Sequence, residues 1–185
     1  PTHMMGTKVT GKTLGLIGFG RISQAMAKKA HFGFGMKILF SDPYPPSKEA
    51  INFVGATECT FDEVLEKSDF VALHCPGGAS TYHLIDAAAL KKMQPHAYLI
   101  NSARGDVIDP TALVAALKDG TIAGAGLDVF EGEPNVPDEL IALKNTVLLP
   151  HLGSATLETR VAMGMRVVEN LVAFFDGKPL RDQVV

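Results

Sequence analysis

Short apolar segments alternate along the chain with longer segments in which apolar residues recur at helical spacing. The short segments end in glycine, proline or polar turns, which is typical of buried strands. We predict strands at residues 12–17, 37–40, 70–73, 97–100, 122–127 and 146–149. Strands that alternate with helices predict an α/β fold, a doubly wound parallel sheet of the Rossmann type with helices on both faces.

Capping residues frame most of the predicted helices. Thr60 and Glu63 form a capping box, Asp86 can cap a helix, and Asp109, Pro110 and Gly120 have the types expected at a cap, a first helical residue and a terminator. We predict helices at residues 21–34, 61–67, 87–93, 110–119 and 155–175, and a long polar loop at 131–139.

The composition is that of a globular protein. Of 185 residues, 46% are hydrophobic and 20% are charged, and the net charge is -3. A basic surface for nucleic acid or an anionic membrane is therefore not expected, and the apolar runs are too short to span a bilayer. Cys59 and Cys75 predict reduced thiols in a cytoplasmic protein, with a disulfide as the alternative. The six scattered histidines predict no metal site.

A glycine-rich turn follows the first predicted strand and begins the first helix. Gly18 permits the tight turn, and Gly20 lets the backbone approach a pyrophosphate at the helix N-terminus. Ser23 stands where the motif has its third small residue, which leaves the affinity for the cofactor open. Asp42 lies 24 residues after Gly18 and can accept hydrogen bonds from the ribose of NAD, whereas it would repel the 2'-phosphate of NADP.

The alternative is a glycine-rich turn without a ligand and an aspartate that begins a turn before Pro43. The position of the motif between a strand and a helix favours the dinucleotide site.

Candidate catalytic groups follow three later strands. Arg104 follows the strand at 97–100, acidic residues including Glu133 follow the strand at 122–127, and His151 follows the last strand. Ligands bind beyond the carboxyl ends of strands in such sheets. An arginine for a carboxylate, with a histidine as proton donor and a carboxylate beside it, suits the reduction of a 2-keto acid. The alternatives are a surface arginine, a solvated loop acid and a packed histidine.

Four segments, GKTLGLIGFGRI, NSARGDVID, AGAGLDVFEGEP and LLPHLGSAT, resemble the D-isomer-specific 2-hydroxyacid dehydrogenases. The resemblance extends from about residue 9 to residue 178 and is strongest to glyoxylate/hydroxypyruvate reductases, because PHLGSAT is followed by ETR. It implies an NAD-dependent oxidoreductase that interconverts a small 2-keto acid and its D-2-hydroxy acid.

The resemblance also implies roles for individual residues. Arg104 would bind the substrate carboxylate and carbonyl, His151 would be the acid/base, and Glu133 rather than Glu131 would be its partner. Asp128 would face the nicotinamide carboxamide. The residues that match cofactor-lining positions are Gly18, Gly20, Arg21, Ile22, Asp42, Cys75, Pro76, Thr81, Ala103, Arg104, Asp128, His151, Gly153 and Ser154.

The family has a second domain, which is built mostly from an N-terminal segment together with the final helix. This chain does not include that N-terminal segment. The chain begins with Pro1, so we expect it to be part of a longer protein. Residues 1–154 would form the dinucleotide-binding domain and 155–185 would belong to the substrate domain. The resemblance implies a homodimer formed through the nucleotide domain. The alternative function is an NADH-sensing scaffold, similar to a transcriptional corepressor related to this family.

Overall fold

Parallel strands form one sheet in the computed structural model, which describes residues 6–183. Within that part of the chain the seven strands lie in the order β3-β2-β1-β4-β5-β6-β7, and every neighbouring pair is parallel. The strands are β1 Thr13–Ile17, β2 Lys37–Ser41, β3 Thr57–Glu58, β4 Phe70–Leu73, β5 Tyr98–Asn101, β6 Gly124–Leu127 and β7 Thr146–Leu148.

The helices of the described chain connect these strands or follow them. They are α1 Arg21–Phe34, α2 Lys48–Phe53, α3 Phe61–Lys67, α4 Ala87–Lys92, α5 Pro110–Asp119, α6 Asp138–Ile141 and α7 Leu157–Phe175, with a 3-10 turn at Gly105–Val107. The predicted Rossmann-type α/β fold is confirmed. The strand order reverses between β1 and β4, where such sheets form a crevice for ligands.

Two apolar clusters, separate from each other, make up the core. One contains Leu16, Phe40 and Ala27 of α1. The other contains Leu99, Leu113 of α5 and Leu65 of α3. The central strands are therefore buried among helices, as a parallel sheet requires.

The predicted helix caps are confirmed. Thr60 and Glu63 form the capping box of α3, Asp86 accepts a hydrogen bond from the Ala89 N–H, and Asp109 caps α5 with Pro110 in its first turn. Gly120 ends α5 in the left-handed conformation. These local signals are reliable because each one depends only on residues within one turn of the helix.

Several predicted boundaries were wrong by one or two residues. β6 begins at Gly124 rather than Ile122, whose backbone N–H instead bonds to the carbonyl of Ala116 in α5. α7 begins at Leu157, because Thr156 is its cap and accepts a hydrogen bond from the Thr159 N–H. The predicted loop at 131–139 extends into α6, and the short elements α2 and β3 were not predicted.

The chain divides into two compact units, the first ending at Pro150 and the second beginning at His151. The second unit consists mainly of α7, whose apolar side chains are exposed along its length. They include Leu157, Val161, Val168, Leu171, Phe174 and Phe175. Among the described residues, no helix is both long enough and apolar enough to cross a bilayer.

Candidate active site

The turn between β1 and α1 is shaped by two glycines with different surroundings. Gly18 has φ +88°, and a Cβ there would lie 2.9 Å from the backbone nitrogen of Cys75. Gly18 is therefore needed for the turn itself. Gly20 caps α1, and a Cβ there would meet nothing within 4 Å. The fold does not require a glycine at this position, so its small size keeps space open in front of the helix.

The N-terminus of α1 suits an anionic group. Gly20 offers no side-chain cap, and the first turn of α1 has no acidic residue. The helix dipole and the first-turn N–H groups therefore face the space that Gly20 keeps open. The diphosphate of a dinucleotide fits this place by charge and by room.

Ser23 is the third small residue of the motif and is fully buried. Its Oγ has no hydrogen-bond partner within the part of the chain that the structure describes. The side chain fits below the turn, as expected for a small residue, at the cost of burying an unsatisfied hydroxyl.

Asp42 joins the end of β2 to the glycine turn. Its Oδ2 accepts a hydrogen bond from the Phe19 N–H at 2.5 Å, and its Oδ1 accepts one from the Tyr44 N–H at 2.7 Å. The carboxylate thus begins a turn, as the alternative interpretation of Asp42 held. Each carboxylate oxygen can accept a further hydrogen bond, so the same geometry also suits ribose hydroxyls.

The loop after β4 closes on itself through Thr81. The Thr81 hydroxyl donates to the Pro76 carbonyl at 2.6 Å. Burial raises the pKa of the Cys75 thiol, which keeps it protonated at neutral pH. A protonated thiol is a poor nucleophile, and the Cys75 side chain packs against the larger apolar cluster.

Arg104 is exposed beyond the end of β5 on a turn fixed by a buried asparagine. The Asn101 side chain accepts a hydrogen bond from the Ala103 N–H at 3.0 Å and donates one to the Arg104 carbonyl at 2.8 Å. The Arg104 Nη1 donates to the Ala103 carbonyl at 2.7 Å. This turn presents the guanidinium at the ligand edge of the sheet, which is the edge formed by the carboxyl ends of the strands, where such sheets bind ligands.

The segment after β6 lies directly against the Arg104 turn. A Cβ on Gly105 would lie 1.9 Å from the carbonyl carbon of Phe130, so only glycine fits there. The Phe130 N–H donates to Glu133 Oε1 at 2.9 Å. Asp128 is buried, and its N–H bonds to the Asn101 carbonyl at 2.9 Å. Asp128, Glu133 and Arg104 are therefore carried by two segments in contact.

The second unit begins with His151, whose φ is +56°. Ser154 follows three residues later, and its carbonyl accepts a hydrogen bond from the Arg160 side chain at 3.2 Å. His151, Gly153 and Ser154 thus lie in the short segment that leads into α7.

Comparison with known proteins identifies the family of this chain. The model of the NAD-binding domain of the D-isomer specific 2-hydroxyacid dehydrogenases matches residues 1–153. The chain belongs to the D-isomer-specific 2-hydroxyacid dehydrogenase family. The resemblance inferred from the sequence motifs is confirmed, and so is NAD as the predicted cofactor.

Three relatives illustrate the similarity of this dehydrogenase domain to known proteins. Glyoxylate reductase from Thermococcus litoralis is 52% identical over 179 residues, which is 96% of this chain and 53% of that protein. The crystal structure of a glyoxylate reductase from Paecilomyes thermophila superposes with a TM-score of 0.93 at 38% identity, covering 99% of this chain and 55% of that one.

The third relative is described together with its cofactor, NADPH. The NADPH-dependent glyoxylate/hydroxypyruvate reductase of Sinorhizobium meliloti superposes with a TM-score of 0.87 at 41% identity, covering 95% of this chain and 54% of that one. The dehydrogenase domain thus spans about half the length of the relatives it matches.

Sequence reasoning missed two polar residues at the site of the dehydrogenase domain. Asp106 Oδ2 accepts a hydrogen bond from the Gly78 N–H at 2.9 Å and so joins the loop after β4 to the Arg104 turn. His83 bonds to Glu131 at 2.9 Å. Asp106 follows Arg104 in the motif NSARGDVID, which was the available signal. No comparable signal pointed to His83. Among the described residues no group of His, Cys, Asp or Glu could hold a metal ion.

Proposed function

We propose that the full-length protein uses NADH to reduce a small 2-keto acid of the glyoxylate or hydroxypyruvate type, giving glycolate from glyoxylate and the D-2-hydroxy acid from hydroxypyruvate. The observation that carries this proposal is the exposed Arg104, held by Asn101 beside the Glu133 segment at the ligand edge of the sheet. A cation in this position suits a small substrate with a carboxylate. The glyoxylate reductases among the relatives support the substrate class.

Arg104 would hold the substrate carboxylate and polarise the keto oxygen. A planar guanidinium can form two parallel hydrogen bonds to a carboxylate, which fixes the orientation of the substrate as well as its position. The bound cofactor supplies the hydride that reaches the keto carbon. Orientation by Arg104 would therefore decide which face of the carbonyl is reduced.

His151 would donate the proton that the keto oxygen takes up, and Glu133 would hold its imidazole charged and oriented. Imidazole is the usual acid for such a step near neutral pH. Each turnover consumes one hydride and one proton, so His151 must be reprotonated before the next. The match of His151 and Glu133 to family motif positions supports these roles.

The cofactor contacts are proposed for the residues already named from the family motifs. In the first unit these include the glycine turn with Arg21 and Ile22, Asp42, the loop with Cys75, Pro76 and Thr81, and the segments with Ala103 and Asp128. In the second unit they include His151, Gly153 and Ser154. The open space at Gly20 and the acceptor position of Asp42 support the proposal most directly.

The division of the chain between domains is also a proposal. We assign residues 1–154 to the dinucleotide-binding domain and residues 155–185 to the substrate domain. The exposed apolar side chains of α7 support this assignment, because an amphipathic helix is stable when its apolar face is covered.

A homodimer through the nucleotide domain and a cytoplasmic location stay predictions. The loop at 79–85 and helix α4 are our candidates for the dimer contact, and sedimentation of the full-length protein would test it. The relatives named above are reductases, so they give no support to the alternative of an NADH-sensing scaffold.

A substrate panel on the full-length protein tests the proposed function. Glyoxylate, hydroxypyruvate and pyruvate would each be assayed with NADH and with NADPH. We expect turnover of glyoxylate or hydroxypyruvate, and we expect Arg104→Gln to lose at least about a hundredfold in kcat/KM, since the cation proposed to bind the substrate carboxylate is removed. A full-length protein that binds NADH but turns over none of these acids would favour the scaffold.

A further inference from the structure

A second imidazole–carboxylate pair lies beside the Glu133 segment. His83 Nε2 is 2.9 Å from Glu131 Oε2, and the Tyr82 ring stacks on the His83 ring with centroids 3.9 Å apart. A hydrogen bond to Glu131 also raises the pKa of the Tyr82 hydroxyl. Glu131 is therefore held by two side chains of the loop that precedes α4.

The backbone of His83 is fixed in an unusual conformation. Its φ is +49°, and among the described residues only His151 is another non-glycine residue with positive φ. The His83 N–H donates to the Asp106 carbonyl at 2.8 Å. A strained residue persists only where its surroundings hold it. The backbone at His83 is therefore rigid, and it holds the imidazole against Glu131.

Glu131 belongs to the segment that carries the proposed partner of the catalytic histidine. Its backbone nitrogen lies against Gly105, and Glu133 Oε1 accepts the hydrogen bond of the Phe130 N–H. The segment 130–133 is thus fixed on one side by Gly105 and on another by His83. Rotation of this segment would move the Glu133 carboxylate away from its present position.

The pair contributes little as a salt bridge. The side chains of His83 and Glu131 are 27% and 30% exposed, and solvent weakens the attraction in such pairs. Geometry, not stability, distinguishes this pair from an ordinary surface contact.

We propose that His83 is a positioning residue for the reductase reaction, acting through Glu131 to fix the segment that carries Glu133. This proposal about His83 rests on the proposed function, because Glu133 is the proposed partner of His151. His83 itself would contact neither substrate nor cofactor. The two glutamates would then have different roles. Glu131 anchors the segment, and Glu133 is the partner of His151 in the reaction.

The first test needs no activity and uses the 185-residue chain. His83→Asn shortens the side chain so that it no longer reaches Glu131, and asparagine tolerates the positive φ of this position. Glu131→Ala breaks the pair from the other side. In both variants we expect the Phe130 amide, which is bonded to Glu133, to exchange its hydrogen about tenfold faster or more by NMR, because the segment opens locally.

The matched control is a similar pair at the other end of the strands, just before β4 and β5 begin. His96 Nε2 lies 2.9 Å from Asp69 Oδ1, and we expect His96→Asn to leave Phe130 exchange unchanged. Unchanged Phe130 exchange in both His83→Asn and Glu131→Ala would overturn the proposal. Equal acceleration by His96→Asn would also overturn it, because the effect would then be general loosening.

The second test uses the full-length protein. We expect His83→Asn and Glu131→Ala each to lower kcat about tenfold, with the KM for NADH within about twofold of wild type. His83→Gln, which keeps a donor that can reach Glu131, should restore most of kcat. The double variant should be no worse than either single one, as expected for a coupled pair.

The two tests separate the proposals. Fast Phe130 exchange with wild-type kcat in His83→Asn would overturn the role of His83 in the reaction. A wild-type full-length protein without reductase activity would overturn the proposed function, while Phe130 exchange would still decide whether His83 fixes the segment.

Discussion

Asp42 and Phe19 are joined by a 2.5 Å hydrogen bond from the Phe19 N–H to the Asp42 carboxylate, which ties the end of β2 to the glycine turn. Phe19 lies between the two glycines of the motif, and its ring stacks on Phe40 of β2 with centroids 4.4 Å apart. The group proposed to select the cofactor is therefore fixed to the turn proposed to bind the diphosphate.

We expect the full-length protein to prefer NADH to NADPH. A carboxylate at the position of Asp42 would repel a 2'-phosphate and would accept hydrogen bonds from ribose hydroxyls. Asp42→Asn should reduce the ratio of kcat/KM values for NADH and NADPH at least about tenfold, which corresponds to about 1.4 kcal/mol. Asp62→Asn, a change at an exposed position of α3, is the control. Equal efficiency of the wild type with both cofactors would refute the role of Asp42.

The two glycines of the turn should respond differently to substitution. Gly20→Ala adds a Cβ that meets no protein atom within 4 Å, so the stability should stay within about 0.5 kcal/mol. NADH affinity, measured by fluorescence titration of the chain, should fall at least about tenfold because the methyl group occupies the place of the diphosphate.

A methyl group elsewhere in α1 provides the control for Gly20. A Cβ on Gly33 also meets nothing within 4 Å, and Gly33→Ala should stabilise the helix by about 0.5–1 kcal/mol without changing NADH affinity. If Gly20→Ala bound NADH as tightly as wild type, the diphosphate would not lie in front of α1.

Much of this site could be predicted from the sequence, because its parts are local. The glycine turn, the caps of α3 and α5 and the strand ends are determined by neighbouring residues. The His83–Glu131 pair could not be predicted, because its members are 48 residues apart and meet only through the packing of two loops. The boundary of β6 was wrong for a similar reason, since Ile122 bonds to α5 rather than to the sheet.

His151 should be required for the chemical step rather than for cofactor binding. We expect His151→Ala to lower kcat of the full-length protein by about 10²–10⁴-fold, because the keto oxygen loses its proton donor. NADH affinity by fluorescence titration should stay nearly unchanged. A variant that retains wild-type kcat would show that another group supplies the proton.

Glu133 should control the pH range of the reaction. Without its carboxylate the imidazolium of His151 is less favoured, so Glu133→Gln should lower the pH above which reduction fails. The matched variant is Glu131→Gln, which keeps an acceptor for His83 and should leave that pH in place. If Glu131→Gln shifted the pH-rate profile and Glu133→Gln did not, the two glutamates would have been assigned in the wrong order.

The contribution of Asp69 to the stability of the first unit should be lost at low pH. Burial alone would raise the pKa of Asp69, but hydrogen bonds from the Thr13 N–H, His96 and Lys12 lower it below its ordinary value of 3.8. Because the folded carboxyl is the stronger acid, its contribution is complete above about pH 3.8 and is lost as the pH falls through the folded value.

Urea unfolding of Asp69→Asn tests this contribution. The variant should lose about 1–2 kcal/mol of unfolding free energy at pH 7, and the difference from wild type should shrink toward zero in acid as the wild-type carboxyl is protonated. Asp62→Asn, which breaks the more exposed pair with Lys92, should change stability by no more than about 0.5 kcal/mol at either pH. A constant Asp69→Asn deficit across the pH range would mean that packing, not charge, is responsible.

The 185-residue chain should bind NADH but should not reduce glyoxylate at the rate of the full-length protein. The glycine turn and Asp42 lie within its first unit, so the main determinants of binding are present. The relatives are about twice as long as the region they share with this chain, and enzymes that close over a substrate exclude water from the reacting groups. Arg104 is exposed here, where its attraction for a carboxylate is weakened by solvent. Fluorescence titration with NADH and glyoxylate reduction at saturating NADH measure the two properties separately. Turnover at the full-length rate would show that Arg104 needs no covering domain, and loss of NADH binding would show that the rest of the protein supports the cofactor site.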